Sequence, residues 1–206
     1  MARRTGRGSK EKQKMTLNEQ KAALRRKIRE ALKNILPAAR NAASAQLRTL
    51  LKEQLFWENS ASILFFAPLP DEMDVWPLLE ETVSGEKIIA LPRLDPADQS
   101  YVARRIQNPQ TEIAVGPFGI REPKTDCAEI AMSRLDLILV PGVAFDLFGH
   151  RLGRGRGFYD RLLVEAPGLK CGIGFEEQIT HEVPAGNHDM QMDFVLTPTR
   201  CIEVGR

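Results

Sequence analysis

Leu135–Val140, which reads LDLILV, is the stretch that decides the fold of this chain. A run of aliphatic residues this short, followed directly by Pro-Gly, predicts a strand that is buried on both faces. A glycine-rich loop comes next, then a helical pattern near Phe158–Val164 and a second apolar run at Lys170–Phe175. Apolar strands that alternate with helices are typical of a parallel sheet covered on both sides.

The same alternation extends towards both ends of the sequence. Thr16 and Glu19 have the spacing of a capping box, which predicts a helix start, and Pro37 suits the first turn of a second helix. The apolar positions of the second helix are Leu47, Leu50, Leu51 and Leu55. Buried strands are predicted at 61–67, 87–91 and 193–197, and a more polar strand and an extended turn at 101–107 and 116–123. We therefore predict a single α/β domain over residues 16–206, a mainly parallel sheet with helices on both faces.

The composition excludes several classes of protein. The chain has 206 residues, 43% of them hydrophobic and 27% charged, as in a soluble globular protein. Its apolar runs are far shorter than the roughly 20 residues of a membrane helix, and no apolar segment follows the basic N-terminus as in a signal peptide. Three cysteines without a close pair and three histidines without zinc-ligand spacing predict reduced thiols and no zinc site. We expect a cytoplasmic monomer with no membrane partner.

Charge is distributed unevenly along the chain. Residues 1–29 hold 11 of the 29 basic residues and 2 of the 27 acidic ones, so the rest of the chain, with 18 basic and 25 acidic residues, is acidic. A basic arm can contact nucleic acid. Residues 1–15 contain no aromatic residue that could stack on a base, so we interpret them as a flexible solvated tail.

The loop after the strand predicted at Leu135–Val140 carries the residues best suited to bind a ligand. Residues 151–160 read RLGRGRGFYD, in which three alternating glycines enclose two arginines just before a helix start. Glycines allow backbone N–H groups to approach an anion closely, and guanidinium groups bind phosphate oxygens in pairs. Asp160 lies where a carboxylate could hold Mg²⁺ against those phosphates. The pattern is neither a Walker A loop nor a Rossmann fingerprint, and a purely structural turn remains an alternative.

The first helix offers two further cations. Lys21 and Arg25 are four residues apart at the border of the apolar stripe, so they can either point into a site across a buried edge or form a solvated pair. Arg26 and Lys27 fall on the opposite side, where we expect solvent.

The stretch Val140–Leu163, VPGVAFDLFGHRLGRGRGFYDRLL, resembles the signature of the 5-formyltetrahydrofolate cyclo-ligase family, also called 5,10-methenyltetrahydrofolate synthetases. Many members have an aromatic residue or Met at the position of Arg154 and Gly at that of Arg156, and this departure is expected to alter phosphate contacts without abolishing them. Other matching features follow in order from about residue 21 to residue 198: K-x-x-L-R at 21–25, E-x-D at 72–74, IREP at 120–123, Gln178, Val183-Pro184, Asp189 and Thr197-Pro198.

The resemblance implies an enzyme of a particular fold and reaction. The sheet architecture is similar to that of sugar-phosphate isomerases and CoA transferases, a Rossmann-like arrangement. The implied reaction uses ATP and Mg²⁺ to convert 5-formyltetrahydrofolate into 5,10-methenyltetrahydrofolate, ADP and phosphate, through phosphorylation of the formyl oxygen and ring closure by nitrogen 10. Such transfers depend mainly on positioning and charge stabilisation.

The resemblance also implies roles for individual residues. The residues implied to bind ATP are Lys21, Arg25, Arg151, Leu152, Gly153, Arg154, Gly155, Arg156, Gly157, Phe158 and Tyr159. Those implied to bind the folate are Leu69, Glu72, Asp74, Arg154, Gly155, Arg156, Gly157 and Phe158, and which of Glu72 and Asp74 contacts the pterin stays open, since either can cap the next helix. Arg154, Arg156 and Tyr159 are the implied catalytic residues, and Asp160 and Asp189 match the magnesium positions.

Two other functions remain as alternatives. One is an ATP-independent isomerase or CoA-transferase-like enzyme on the same sheet, and the other is a nucleic-acid-binding protein that uses the basic arm and the RGRG loop. The acidic body of the chain argues against the second as the main role.

Overall fold

The protein is described here from a computed structural model, which covers residues 15–95 and 100–205. Of the predicted basic tail, residues 1–14 lie outside the described residues. The decisive run LDLILV contains the strand Leu137–Pro141, whose first four residues are buried. The strand begins two residues later than predicted because Asp136 turns the chain into the sheet: its carboxylate accepts the backbone N–H groups of Ala61 and Ser62, both at 2.9 Å.

Strands and helices are numbered here in chain order within the described ranges. The strands are β1 (Ser62–Leu64), β2 (Ile88–Leu94), β3 (Tyr101–Ile106), β4 (Ile113–Val115), β5 (Arg121–Pro123), β6 (Glu129–Ile130), β7 (Leu137–Pro141), β8 (Ala144–Asp146), β9 (Arg151–Leu152), β10 (Leu169–Ile173), β11 (Ile179–Thr180), β12 (Phe194–Leu196) and β13 (Cys201–Glu203). The α-helices are α1 (Leu17–Lys33), α2 (Pro37–Lys52), α3 (Leu55–Glu58), α4 (Trp76–Thr82) and α5 (Phe158–Val164).

The main sheet has eight strands in the order β13-β12-β10-β7-β1-β2-β3-β6. The five strands from β12 to β2 are parallel, and β13, β3 and β6 add antiparallel pairs at the two edges. The chain passes from β1 to β2 on one side and later returns to place β7 on the other side of β1. Strand order therefore reverses at β1 and β7, and ligands of open α/β sheets bind beyond the carboxyl ends of strands at such a point.

Helices cover both faces of the sheet, as predicted. Successive residues of a strand point to opposite faces, and both faces of β7 are buried. Leu137 and Leu139 pack in the cluster that includes Ile28 of α1 and Leu47 of α2, on one side of the sheet. Ile138 and Val140 pack in the cluster that includes residues of α5, on the other side. The prediction of a mainly parallel α/β fold is confirmed.

The first helix begins where the sequence places it. Thr16 is the N-cap of α1, and its side chain and that of Glu19 form the predicted reciprocal capping box. The second helix ends earlier than its apolar pattern suggested. Leu55 lies outside α2, begins the short helix α3 and is 73% exposed, so the prediction of Leu55 as an apolar position of the second helix is wrong.

No helix in the described part of the chain is long and apolar enough to cross a lipid bilayer. The three cysteines, all described, are free thiols.

Candidate functional site

A cavity of about 310 Å³ lies at the carboxyl edge of the central strands. The segment after β1 contributes Phe66, Leu69 and Glu72, the end of β7 contributes Pro141, and most of residues 151–160 line the opposite side. The cavity is thus located where the strand order reverses, and it includes the glycine-rich loop that the sequence singled out.

The glycine-rich loop has backbone conformations that favour glycine. Gly155 and Gly157 have φ angles of +104° and +66°, in the left-handed half of conformational space. Gly157 is also the N-cap of α5, a helix of only seven residues. A side chain on either glycine would be strained, so the alternating pattern reflects the path of the loop between β9 and α5.

Buried polar groups hold the loop's base in place. The side-chain amide of Gln178 donates to the carbonyl oxygens of Gly142 and Val143 at 2.7 and 3.1 Å. Its oxygen accepts the N–H of Phe175 at 2.8 Å. Gln178 is 2% exposed, so this network fixes the start of the loop after β7 from inside the protein.

Helix α1 directs both of its candidate cations towards other parts of the chain, Arg25 to the loop and Lys21 to Asp189. The Nε of Arg25 donates to the carbonyl oxygen of Gly153 at 2.9 Å, and the Nζ of Lys21 lies 2.6 Å from Oδ2 of Asp189. Arg26 and Lys27 are exposed, as predicted. Burial alone would raise the pKa of Asp189, but Lys21, together with the Gly186 N–H and Arg151, lowers it below its ordinary value.

Arg151 and Asp160 form a second ion pair in the cavity wall. Nη2 of Arg151 donates to Oδ1 of Asp160 at 2.7 Å, and Nη1 donates to the carbonyl oxygen of Pro141 at 3.2 Å. The Arg151 side chain is 3% exposed, and its Nε has no hydrogen-bond partner among the described residues. Lys21, Arg25 and Arg151 all lie close enough to Asp189 for their charges to interact with it, and of the three Arg151 lines the cavity.

Arg154 joins the loop to the segment after β1. Its Nη2 lies 2.6 Å from Oδ1 of Asp71 and 2.9 Å from Oε1 of Glu72, and its Nε donates to the same Glu72 oxygen at 3.1 Å. The two carboxylates raise the pKa of Arg154 although its partial burial acts in the opposite direction. Burial raises the pKa of Glu72 despite Arg154 and the Leu69 N–H, which donates to Oε2 at 3.0 Å.

The structure separates Glu72 from Asp74, the pair that the sequence left open. Glu72 lines the cavity, as does Leu69. Asp74 is exposed, and its Oδ1 accepts the N–H of Trp76 at the start of α4. Asp74 thus accepts a backbone N–H of the first residue of α4, whose N-cap is Val75, and it lies outside the cavity lining.

Aromatic side chains form one wall of the cavity. The rings of Tyr101 and Phe158 meet edge to face with centroids 5.1 Å apart, and Tyr159 lies 6.5 Å from Tyr101. Burial raises the pKa of both Tyr101 and Tyr159, so both hydroxyls are neutral donors near pH 7. The Arg156 guanidinium lies 6.0 Å from the Phe158 ring, at the exposed end of this wall.

Sequence reasoning assigned no role to Tyr101 and Glu122, which both line the cavity. Tyr101 begins β3, which pairs antiparallel with β2 beside the parallel strands. Glu122 belongs to the IREP segment, on strand β5, which lies against β2 and β3. The IREP match was the signal that pointed to this segment.

The candidate magnesium carboxylates are both already ion-paired. Asp160 pairs with Arg151 and Asp189 with Lys21, and the charge of Arg151 is felt at Asp189 as well. No group of three His, Cys, Asp or Glu side chains in residues 15–95 and 100–205 is arranged to hold a metal ion. Mg²⁺ bound to one or two carboxylates together with substrate phosphates is the arrangement that this donor set fits, since an all-protein cage needs more ligands.

These features define the class of protein. It is an α/β protein with a largely parallel sheet, whose cavity at the strand-order reversal combines cations on a glycine-rich loop with buried carboxylates and aromatic rings. Such a site suits an anionic ligand bound beside a planar heterocycle.

Comparison with known proteins identifies the family. The sequence model of the 5-formyltetrahydrofolate cyclo-ligase family matches residues 17–198. The 5-formyltetrahydrofolate cyclo-ligase of Escherichia coli (strain K12) is 33% identical over 146 residues, which are 69% of this chain and 80% of the relative. The enzyme of the same name from Mus musculus is 31% identical over 194 residues, 88% of this chain and 95% of the relative.

A solved structure agrees with the sequence relatives. The structure of 5,10-methenyltetrahydrofolate synthetase from Aquifex aeolicus matches with a TM-score of 0.82 and 32% identity, covering 90% of this chain and 94% of that one. The chain belongs to the 5-formyltetrahydrofolate cyclo-ligase family, and it is an enzyme, a ligase of folate one-carbon metabolism.

Proposed function

We propose that this enzyme uses ATP and Mg²⁺ to convert 5-formyltetrahydrofolate into 5,10-methenyltetrahydrofolate, ADP and phosphate. The observation that carries the proposal is the composition of one cavity, whose lining combines Arg151 and the glycine-rich loop with Glu72 and the aromatic wall. Lys21 and Arg25 lie outside this lining, and Arg25 donates to the loop at Gly153. A triphosphate and a pteridine need these two kinds of surface next to each other.

The chemistry requires activation of an unreactive oxygen. The formyl group on nitrogen 5 is an amide, so its oxygen is a poor leaving group. In the proposed reaction this oxygen attacks the γ-phosphorus of ATP, an O–P bond forms, and the bond to ADP breaks. Nitrogen 10 then attacks the formyl carbon, the C–O bond breaks, phosphate leaves and nitrogen 10 releases its proton. Positioning and charge stabilisation supply most of the catalysis in such phosphoryl transfers.

Residues of α1 and of the loop are the proposed ATP ligands. Arg25 already donates to Gly153, so its guanidinium is fixed beside the loop and can direct its remaining N–H groups at phosphate oxygens. Arg151 holds its guanidinium between Asp160 and Pro141, with its Nε unused by the described residues. Arg156 is exposed at the open end, where a phosphate chain can reach it.

Asp160 and Asp189 are the proposed carboxylates for Mg²⁺. When bound there with the nucleotide, the ion would neutralise developing negative charge on the transferred phosphoryl group. Lys21 and Arg151 keep both carboxylates oriented in the ligand-free protein.

Glu72, Leu69 and the aromatic wall form the proposed folate side of the cavity. Tyr159 is half-buried in this wall. Because burial raises its pKa, its neutral hydroxyl can donate a hydrogen bond but cannot serve as a base near pH 7. Arg154 is engaged by Asp71 and Glu72, so it can contact a phosphoryl group only after leaving at least one of these partners.

The test is to incubate the purified protein with 5-formyltetrahydrofolate and MgATP and to follow the absorbance of the methenyl product. Product should form in proportion to ADP, and omission of ATP or chelation of Mg²⁺ should abolish it. Product formed without ATP would contradict the ATP-dependent mechanism, and no product under any condition would reject the proposal.

A further inference from the structure

Glu122 is a buried carboxylate without a hydrogen-bond partner. Its side chain lines the cavity, yet the residue is 1% exposed. Neither Oε1 nor Oε2 has a hydrogen-bond partner among the described residues. The Leu94 amide and the Arg93 guanidinium lie close enough to favour the charged form, but neither reaches an oxygen with ordinary hydrogen-bond geometry. An unpaired buried carboxylate costs stability, so its presence calls for an explanation.

The hairpin that carries Glu122 makes room for the carboxylate. Strands β4 and β5 pair antiparallel, with Ala114 opposite Glu122, and the Gly116 N–H closes the turn by donating to the Ile120 oxygen at 2.7 Å. A Cβ atom on Gly116 would lie 2.4 Å from Cδ and 2.5 Å from Oε2 of Glu122. The carboxyl group therefore occupies the space of a missing side chain, and it is held at the cavity wall.

The other carboxylates of the cavity lining are already engaged. Oε1 of Glu72 accepts two N–H groups of Arg154, and Oε2 accepts the Leu69 N–H. Asp160 accepts the Nη2 of Arg151. Of the three carboxylates that line the cavity in the described part of the chain, Glu122 alone has both oxygens available for a ligand.

The position of Glu122 favours a neutral, donor-bearing ring as its partner. Tyr101 feels the charge of Glu122, and Tyr101 also packs against Phe158 and Tyr159, so the carboxylate lies beside the aromatic wall. A phosphate would be repelled by a carboxylate, whereas the amino and ring N–H groups of a reduced pteridine are hydrogen-bond donors that match free carboxylate oxygens.

We propose that Glu122 is a substrate-binding residue that accepts hydrogen bonds from N–H groups of the pteridine ring, opposite the Glu72 side of the cavity. This inference rests on the proposed function, because it takes a folate as the ligand. It assigns the IREP segment a role in binding: the hairpin presents a free carboxylate to the ring.

Glu122→Met tests the proposal, since methionine is similar in length and has no comparable acceptor. The affinity for 5-formyltetrahydrofolate, measured by calorimetry, should fall about tenfold or more, and the affinity for MgATP should be unchanged. Glu122→Gln should show a smaller loss because it keeps one acceptor. Glu129→Gln, which neutralises a 60%-exposed glutamate on β6, is the matched control and should bind both ligands as the original protein does.

Stability without ligands separates a binding role from a structural one. A carboxylate kept for a ligand destabilises the ligand-free protein, so Glu122→Met should unfold at the same temperature or higher. Gly116→Ala should displace the carboxylate without removing it and should also weaken folate binding. Unchanged folate affinity in Glu122→Met would overturn the proposal, and so would a loss of affinity accompanied by a lower unfolding temperature.

The experiment also distinguishes this inference from the proposed function. If the unmodified protein neither binds nor converts 5-formyltetrahydrofolate, the proposed function fails first. If the unmodified protein binds it and Glu122→Met binds it equally well, only the assignment of Glu122 fails.

Discussion

Arg25 and Arg26 are neighbours in the sequence, yet α1 sends their side chains to different environments. Successive residues of a helix are rotated by about 100°, so one guanidinium faces Gly153 and the other faces solvent. The apolar stripe of α1 faces the core, so the cations at its border are the ones that can reach other parts of the chain. This is why the helix pattern could offer Lys21 and Arg25 as candidates, while their assignment to ATP came from the family resemblance.

Replacing Arg25 with Met should weaken MgATP binding, whereas replacing Arg26 with Met should not. Both changes remove one positive charge from the same helix, but only Arg25 lies beside the glycine-rich loop. A charge-assisted hydrogen bond contributes about 1.5–3 kcal/mol, so the dissociation constant should rise about ten- to a hundredfold. Calorimetric titration with MgATP measures the effect. Equal losses in both variants would mean that general electrostatics, and not this position, attracts the nucleotide.

Glu122 should make stability fall as pH rises above the ordinary carboxyl range. Burial raises its pKa above the ordinary 4.5, and the Leu94 N–H and the Arg93 charge oppose this rise only in part. Between 4.5 and the raised value the unfolded chain has released the proton that the folded chain still holds, so the unfolded state binds fewer protons and rising pH favours unfolding.

Urea unfolding of the original protein and of Glu122→Gln at several pH values from 4.5 upwards tests this expectation. The variant should lose less stability across the window, because its amide does not titrate. Curves that run parallel would show that the Glu122 pKa is the same in the folded and unfolded states.

At the scale of elements, the sequence did not predict the short strands that have polar neighbours. The helix Phe158–Val164 and the parallel strands around β7 were predicted because their apolar runs are bounded by glycine or proline. The two-residue strands β6, β9 and β11 have no period to detect, and they exist because tertiary neighbours supply their hydrogen-bond partners. Leu55 was wrongly predicted as part of the second helix because the helical spacing of apolar residues continues past the end of α2.

Strand β8 supports the loop by a packing contact that depends on small residues. The fully buried ring of Phe145 fills the space that side chains on Gly142, Gly172 and Gly174 would occupy. A Cβ on Gly172 would lie 2.5 Å from Cε1 of Phe145. Because Gly142 also lines the cavity, this ring holds the sheet and the start of the loop at a fixed separation.

Gly172→Ala should lower the free energy of unfolding by about 1–3 kcal/mol, the usual cost of overpacking a core. Gly205→Ala is the matched control, since no described atom lies within 4 Å of the added Cβ. Chemical denaturation of both variants measures the difference. A stability loss no greater than that of the control would mean that Phe145 can move without cost.

At the scale of the whole molecule, the sequence separates a basic arm from an acidic body. The family match begins at residue 17, after most of the arm. From sequence, the candidate site could be predicted only where its residues lie in one continuous motif, the glycine-rich loop, or on one face of helix α1. Glu122 and Tyr101 could not be placed, because their positions depend on how the β4–β5 hairpin and the antiparallel strand β3 lie against β2.

Removing residues 1–14 should leave methenyl formation unchanged, because the proposed ligand-binding residues begin at Lys21 and the family match begins at residue 17. The measurement is kcat and KM for both substrates in the full chain and the shortened one, with retention on DNA at increasing salt as a second readout. If the protein acts by binding nucleic acid, the full chain should be retained on DNA in a steeply salt-dependent way, and the shortened chain should not be retained. Loss of ligase activity would contradict the expectation.

The contact between Lys21 and Asp189 joins positions 168 residues apart. Helix α1 has its own capping box and apolar stripe, but the ion pair forms only when the segment between β11 and β12 has packed beside the helix. The pair therefore reports completion of the tertiary fold, and formation of α1 alone leaves Lys21 without this partner.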